Sequence, residues 1–126
     1  EHPAAHAALL VADEWVSTSE SLLGLAIMGS HAVAAGGPTS DLDLLVLTAQ
    51  PGQVVPPGSL GTAHRGLPIR LGRALGHQIR GSVPIDLVIG PLDWPTDGGG
   101  ENALANGIVP VNDPQRRLES LRRRSQ

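Results

Sequence analysis

At 126 residues, with 40% hydrophobic and 17% charged side chains, the chain has the length and composition of one ordinary globular domain, residues 1–126, able to bury a core without staples. A formal net charge of −3 argues against a protein built mainly to coat nucleic acid, although all nine basic residues are Arg and five of them fall within residues 116–124. The absence of Cys excludes disulfides, zinc–thiolate sites and cysteine nucleophiles, and the longest apolar run, Leu22–Met28, is too short to cross a bilayer, so a soluble, cytoplasmic protein without membrane contact is expected.

In chain order, Pro3–Val16 reads as an opening helix, with Pro in its first turn and Ala8, Val11, Ala12 and Trp15 at helical spacing. Trp15 is expected in the core. A hydroxyl-rich turn, Ser17–Ser21, leads into Leu22–Ile27, a short apolar run of the kind that forms a buried strand. That strand stops at Gly29. Gly29 lacks a Cβ and lets a ligand approach the backbone, and Ser30 stands at the N-cap of a short helix predicted over His31–Ala35. The unpaired N–H groups of a helix start favour a phosphate.

After the Gly36–Ser40 turn, the run Asp41-Leu42-Asp43-Leu44-Leu45-Val46-Leu47 reads as a strand covered on both faces. Residues 48–65 carry Pro51, Gly52, Pro56, Pro57, Gly58 and Gly61 and predict a long irregular loop. Leu67, Leu71, Leu75 and Ile79 share one helical face, with Gly81 as a stop, which predicts a crossover helix. The crossover would return Val83–Ile89 parallel to the Asp41 strand, with Pro84 pointing to an edge position. Beyond a turn-rich segment holding Trp94, a helix Glu101–Asn106 and a strand Ile108–Val111 are predicted, then a basic helix over 113–124 capped by Asp113. Its arginines read either as a solvated helix end or as a docking surface for an acidic partner.

The anomaly in this pattern is acidic. Side chains alternate along a strand, so Asp41 and Asp43 project from one face at the mouth of an apolar strand, near enough to share one hard divalent cation. Two adjacent carboxylates repel, and burying them is costly without a cation or hydrogen bonds. Asp86 repeats the setting within Val83–Ile89. Plainer roles stay open: Asp41 and Asp43 as strand-entrance caps, Ser30 as a simple N-cap, and Asp86 as the partner of Arg65, Arg70, Arg73 or Arg80. His31 could reach the phosphates from the helix start but reads more readily as solvated or structural, and His64 and His77 have no metal-ligand spacing with another His or acid.

Gly29-Ser30, ten residues of spacer, Asp41-Leu42-Asp43-Leu44 and the later Asp86 together resemble the DNA polymerase β-type nucleotidyltransferase superfamily, its minimal nucleotidyltransferases most of all. The resemblance spans roughly residues 5–111 and implies an α/β fold with a small mixed β-sheet flanked by helices. It also implies transfer of a nucleoside monophosphate, AMP from ATP in the first instance, with Asp41, Asp43 and Asp86 as catalytic metal ligands for Mg²⁺. Gly29 and Ser30 would cradle the phosphates. The resemblance to minimal members implies first an antitoxin that partners a HEPN-domain protein, and it leaves a nucleic-acid acceptor open. Family members often carry an Arg where this chain has Val33, and the alternative is a weakly active or inactive module that neutralises a partner protein by contact.

Overall fold

A computed structural model describes residues 3–29, 41–63, 69–81 and 83–124. Among them, three helices (α1, Pro3–Thr18; α2, Gly98–Ala105; α3, Arg117–Arg124) accompany seven strands: β1, Leu22–Met28; β2, Leu42–Thr48; β3, Thr62–Ala63; β4, Ile69–Leu71; β5, Ala74–Arg80; β6, Pro84–Gly90; and β7, Ile108–Asn112. The strands form one mixed sheet in the order β3-β5-β6-β2-β1-β7, with β4 pairing β5. Only β2 and β6 run parallel; every other pairing is antiparallel. The fold is α/β with a mixed sheet, and none of the described helices is long and apolar enough to cross a membrane.

The hydrophobic pattern explains the layers. β2 reads Leu-Asp-Leu-Leu-Val-Leu, and its residues from Leu44 to Leu47 are fully buried because the sheet is covered on both faces. On one face, Leu42, Leu44, Val46, Ile85, Leu87 and Ile89 meet Ala5, Ala8, Ala12 and Val16 of α1. Small side chains on that helix let it lie close to the sheet. Trp15, expected in the core, is half-buried on the flank of this layer. On the other face Ala26, Met28, Leu45 and Leu47 meet Trp94, Leu104 and Leu118. Residues 49–61 are irregular as expected, with two single 3₁₀ turns at Pro51–Gln53 and Gly58–Leu60, but the loop expected to run to 65 is interrupted by β3 at Thr62–Ala63.

Two expectations are corrected. No crossover helix spans 69–80: β4 and β5 form a hairpin, closed by the pair Leu71 and Ala74 with Gly72 at φ 62° in the turn between them. A two-residue turn with a glycine at positive φ matches strand twist, and the spacing of Leu71, Leu75 and Ile79 is equally compatible with alternation in which Leu75, His77 and Ile79 are buried while Gln78 and Arg80 are exposed. Leu67 lies outside the described residues. Nor is β6 an edge strand, since it runs between β5 and β2. Pro84 is tolerated because it is the first, exposed residue of β6, where a missing N–H interrupts little of the ladder.

The last helix is better anchored than its narrow apolar stripe implies. Asp113 accepts hydrogen bonds from the backbone N–H groups of Leu118 and Glu119, at 3.0 and 2.9 Å, and so caps α3 from beyond Pro114. Leu118 is 0% exposed and seats on Gly24, where a Cβ would stand 2.9 Å from Leu118 Cδ1. Leu118→Ala should therefore lower the unfolding free energy by about 2–4 kcal/mol, read as a shifted midpoint in urea. A midpoint unchanged within error would make α3 a loose arm. Its arginines are partly engaged within the chain: Arg122 and Arg123 lie 3.8 and 3.5 Å from Glu119, and Arg124 reaches Glu101 of α2 at 3.0 Å. These pairs are exposed and each contributes at most about 1 kcal/mol.

His77 sits in β5 on the side that faces α1, buried, and its Nε2 has no hydrogen-bond partner among the described residues. Burial disfavours the charged ring and lowers its pKa below 6.5. The unfolded chain then takes up this proton at higher pH than the folded one, so stability is retained above 6.5 and lost as pH falls from there towards the folded value. His77→Leu is expected to flatten that segment of the profile and raise the melting temperature at pH 5 relative to the parent. Parallel melting curves between pH 5 and 7.5 would show it; an unchanged slope would place the acid sensitivity elsewhere.

Candidate active site

The parallel pairing of β2 and β6 creates the site. Asp43 and Asp86 are direct register partners, so their Cα atoms are one inter-strand spacing apart, roughly 4.8 Å, and their side chains leave the same face of the sheet. The row continues on both sides, with Met28 of β1 opposite Asp43 and Gln78 of β5 opposite Asp86. One residue pair deeper on the same face, Ala26, Leu45, Val88 and Gly76 form an apolar row. Two carboxylates thus stand at the mouth of a surface that is otherwise apolar. Asp41 lies just ahead of β2, exposed, and lines a cavity of about 190 Å³ with Gln78, Arg80 and Asp86.

The electrostatics follow from this crowding. The Asp86 carboxyl is pushed above 3.8 by partial burial first, then by the charge of Asp41 beside it; a hydrogen bond involving Asp43 opposes that rise and one involving Asp41 adds to it. Three acids therefore converge at one sheet end. No ion pair joins Asp86 to Arg70, Arg73 or Arg80 among the described residues, and Arg73 pairs instead with Asp93. Arg65 lies outside the described residues.

Gly29 closes the site from β1. It adopts φ 69°, and a Cβ built on it would overlap Asp43 Oδ2, so the backbone turns directly beside the carboxylate. This is a position where close backbone approach requires glycine. Ser30, His31, Val33, the helix predicted over 31–35 and the turn at 36–40 lie outside the described residues, as does His64.

Among the described residues no group of three or more His, Cys, Asp or Glu side chains is arranged as a ready metal cage. The donor set nevertheless suits a hard cation: oxygen ligands only, one carboxyl raised by burial and by the charge of Asp41, and a glycine whose backbone lies against Asp43 Oδ2. A divalent ion would offset the repulsion between Asp41 and Asp86, the second cause of that rise after burial. Sequence inspection missed Gln78 and placed Arg80, one of the candidate partners of Asp86, at the end of a helix; the alternation from Leu75 to Arg80 after the Gly72-Arg73 turn is the signal that puts both on a strand beside Asp86.

No protein-family model and no curated protein matches this chain.

Proposed function

We propose that the chain is a Mg²⁺-dependent nucleotidyltransferase with the fold of the DNA polymerase β-type superfamily, moving AMP from ATP onto an acceptor and acting as the antitoxin of a HEPN-type toxin–antitoxin pair. The observation that carries the proposal is the register pairing of Asp43 with Asp86, beside Asp41 and the Gly29 turn. Asp41, Asp43 and Asp86 would hold the metal, and Gly29 with Ser30 would take the outer phosphates. Bound Mg²⁺ would supply neutralisation of the charge on the triphosphate oxygens.

The remaining work falls to the chain. Asp86, beside Asp41 at the sheet end, would stand next to the acceptor and accept the proton of its hydroxyl as that oxygen attacks the α-phosphorus and pyrophosphate leaves. Gln78, across from Asp86, would orient that hydroxyl by a hydrogen bond. Calorimetric titration of ATP in Mg²⁺ and in EDTA tests the proposal. Binding that requires Mg²⁺ is expected; binding indifferent to the metal, or none, would leave a module that works on a partner by contact alone.

A further inference from the structure

Behind the acid row lies a cavity of about 280 Å³ whose walls are Met28, Leu71, Ala74, Val88, Trp94 and Ala103. Its position follows from the sheet. Met28 is the register partner of Asp43, and Val88 is two residues beyond Asp86 on the same strand and the same face. The cavity therefore begins one side-chain step, roughly 7 Å, from the carboxylates. Small residues in the sheet make the room: Ala74 is a wall, and Gly76 lies on the same face under Leu71, whose Cδ1 would stand 3.0 Å from a Cβ built on it. Trp94 forms another wall and packs so closely on Gly90 that a Cβ there would stand 2.9 Å from its Cδ1. The rim carries Thr96 and Asp97, the latter also accepting a hydrogen bond from Gly100 N at 2.8 Å.

We infer that this cavity is the base subsite of the nucleotide, taking a flat heteroaromatic ring with an exocyclic amino group, such as adenine. The inference rests on the function proposed above. A volume near the lower end for ligand pockets, roughly 300 Å³, suits a single ring system and not a bulky acceptor. The walls are apolar and one is an indole; the rim offers a carboxylate and a hydroxyl, acceptors for an amino group. Chain connectivity supports the same occupant: Met28 is in the wall, and Gly29, its neighbour, is the turn beside Asp43. A ribose would span from a ring against Met28 to an α-phosphate at the acid row, where Asp43 is the register partner of Met28.

Two ligands separate the subsite from the acid row: ATP and inorganic tripolyphosphate, each with Mg²⁺. In a Trp15→Phe background, Trp94 is the sole indole and reports the cavity by its fluorescence. ATP should quench Trp94 and bind at least tenfold more tightly than tripolyphosphate, which should leave the emission unchanged. Ala103→Leu, which fills the cavity from α2, should erase the advantage of ATP and leave tripolyphosphate affinity as it was. Leu71→Ala removes a wall that is 44% exposed, so the fold is retained; it should weaken ATP alone. Equal affinity for both ligands, or no effect of either substitution on ATP, would overturn the base subsite while keeping the triphosphate site. Failure of both ligands to bind would overturn the nucleotidyltransferase proposal and the subsite with it.

Discussion

Replacing both Asp43 and Asp86 by Asn is expected to abolish Mg²⁺-dependent ATP binding, with a loss of at least a hundredfold in affinity and of all transfer activity. The two side chains share a face at neighbouring positions of a parallel pair, so a hard cation there depends on both for charged oxygen ligands. Amides retain the shape and remove the charge. Stability should move the other way. Because Asp86 is raised above 3.8 in the folded chain, its contribution to stability is fullest below 3.8 and is lost as pH rises through the folded value, so at neutral pH its ionised form is a cost. In EDTA the double variant should melt no lower than the parent, because the ionised Asp86 is disfavoured by burial and by Asp41. Conversely, Mg²⁺ should raise the melting temperature of the parent and leave the variant unmoved. Calorimetry and melting curves on the same samples separate loss of the site from loss of the fold. Unchanged Mg²⁺-dependent binding in the double variant would remove the acids from the proposed chemistry.

Gly29→Val is expected to be nearly as damaging to binding, by a different route. At φ 69° a β-branched residue is strained by more than 1 kcal/mol, and the added Cβ would overlap Asp43 Oδ2. Either the backbone or the carboxylate must shift, and both shifts move a group assigned to the phosphates or the metal. A loss of ATP affinity of at least tenfold is expected, with a destabilisation of about 1–3 kcal/mol. Gly29→Ala should give the same signs with smaller size. If the folded Val variant bound ATP as tightly as the parent, the turn would be a purely structural one.

Much of the architecture was readable from local pattern. Leu22–Met28 and Leu42–Thr48 are apolar runs bounded by polar turns, α1 is rich in Ala and Leu, and Gly107 ends α2; each is an element whose own residues specify it. The parallel relation of the Asp43 and Asp86 strands was also expected. The hairpin of β4 and β5 was not, because four apolar residues at intervals of four fit a helix as well as they fit part of an alternating strand. Its resolution depends on Gly72 adopting positive φ and on Leu75 and Ile79 finding β6 as a partner.

The same division runs through the site. That Asp41, Asp43 and Asp86 are out of place in apolar strands, and that Gly29 precedes them in a turn, follows from residue types and spacing alone, since side-chain alternation and the cost of grouped acids are local properties. That Asp43 faces Asp86 and not its neighbours, that Gln78 and Arg80 join them, and that Trp94 walls a cavity behind Met28 came from strand register and from packing across layers. The first and last of these join residues more than forty positions apart in the chain, Asp43 with Asp86 and Met28 with Trp94, and no local preference encodes them. They are set when the two sheet faces bury their apolar rows against α1 on one side and against Trp94, α2 and α3 on the other, because a slip of one residue in register would turn each carboxylate into the core.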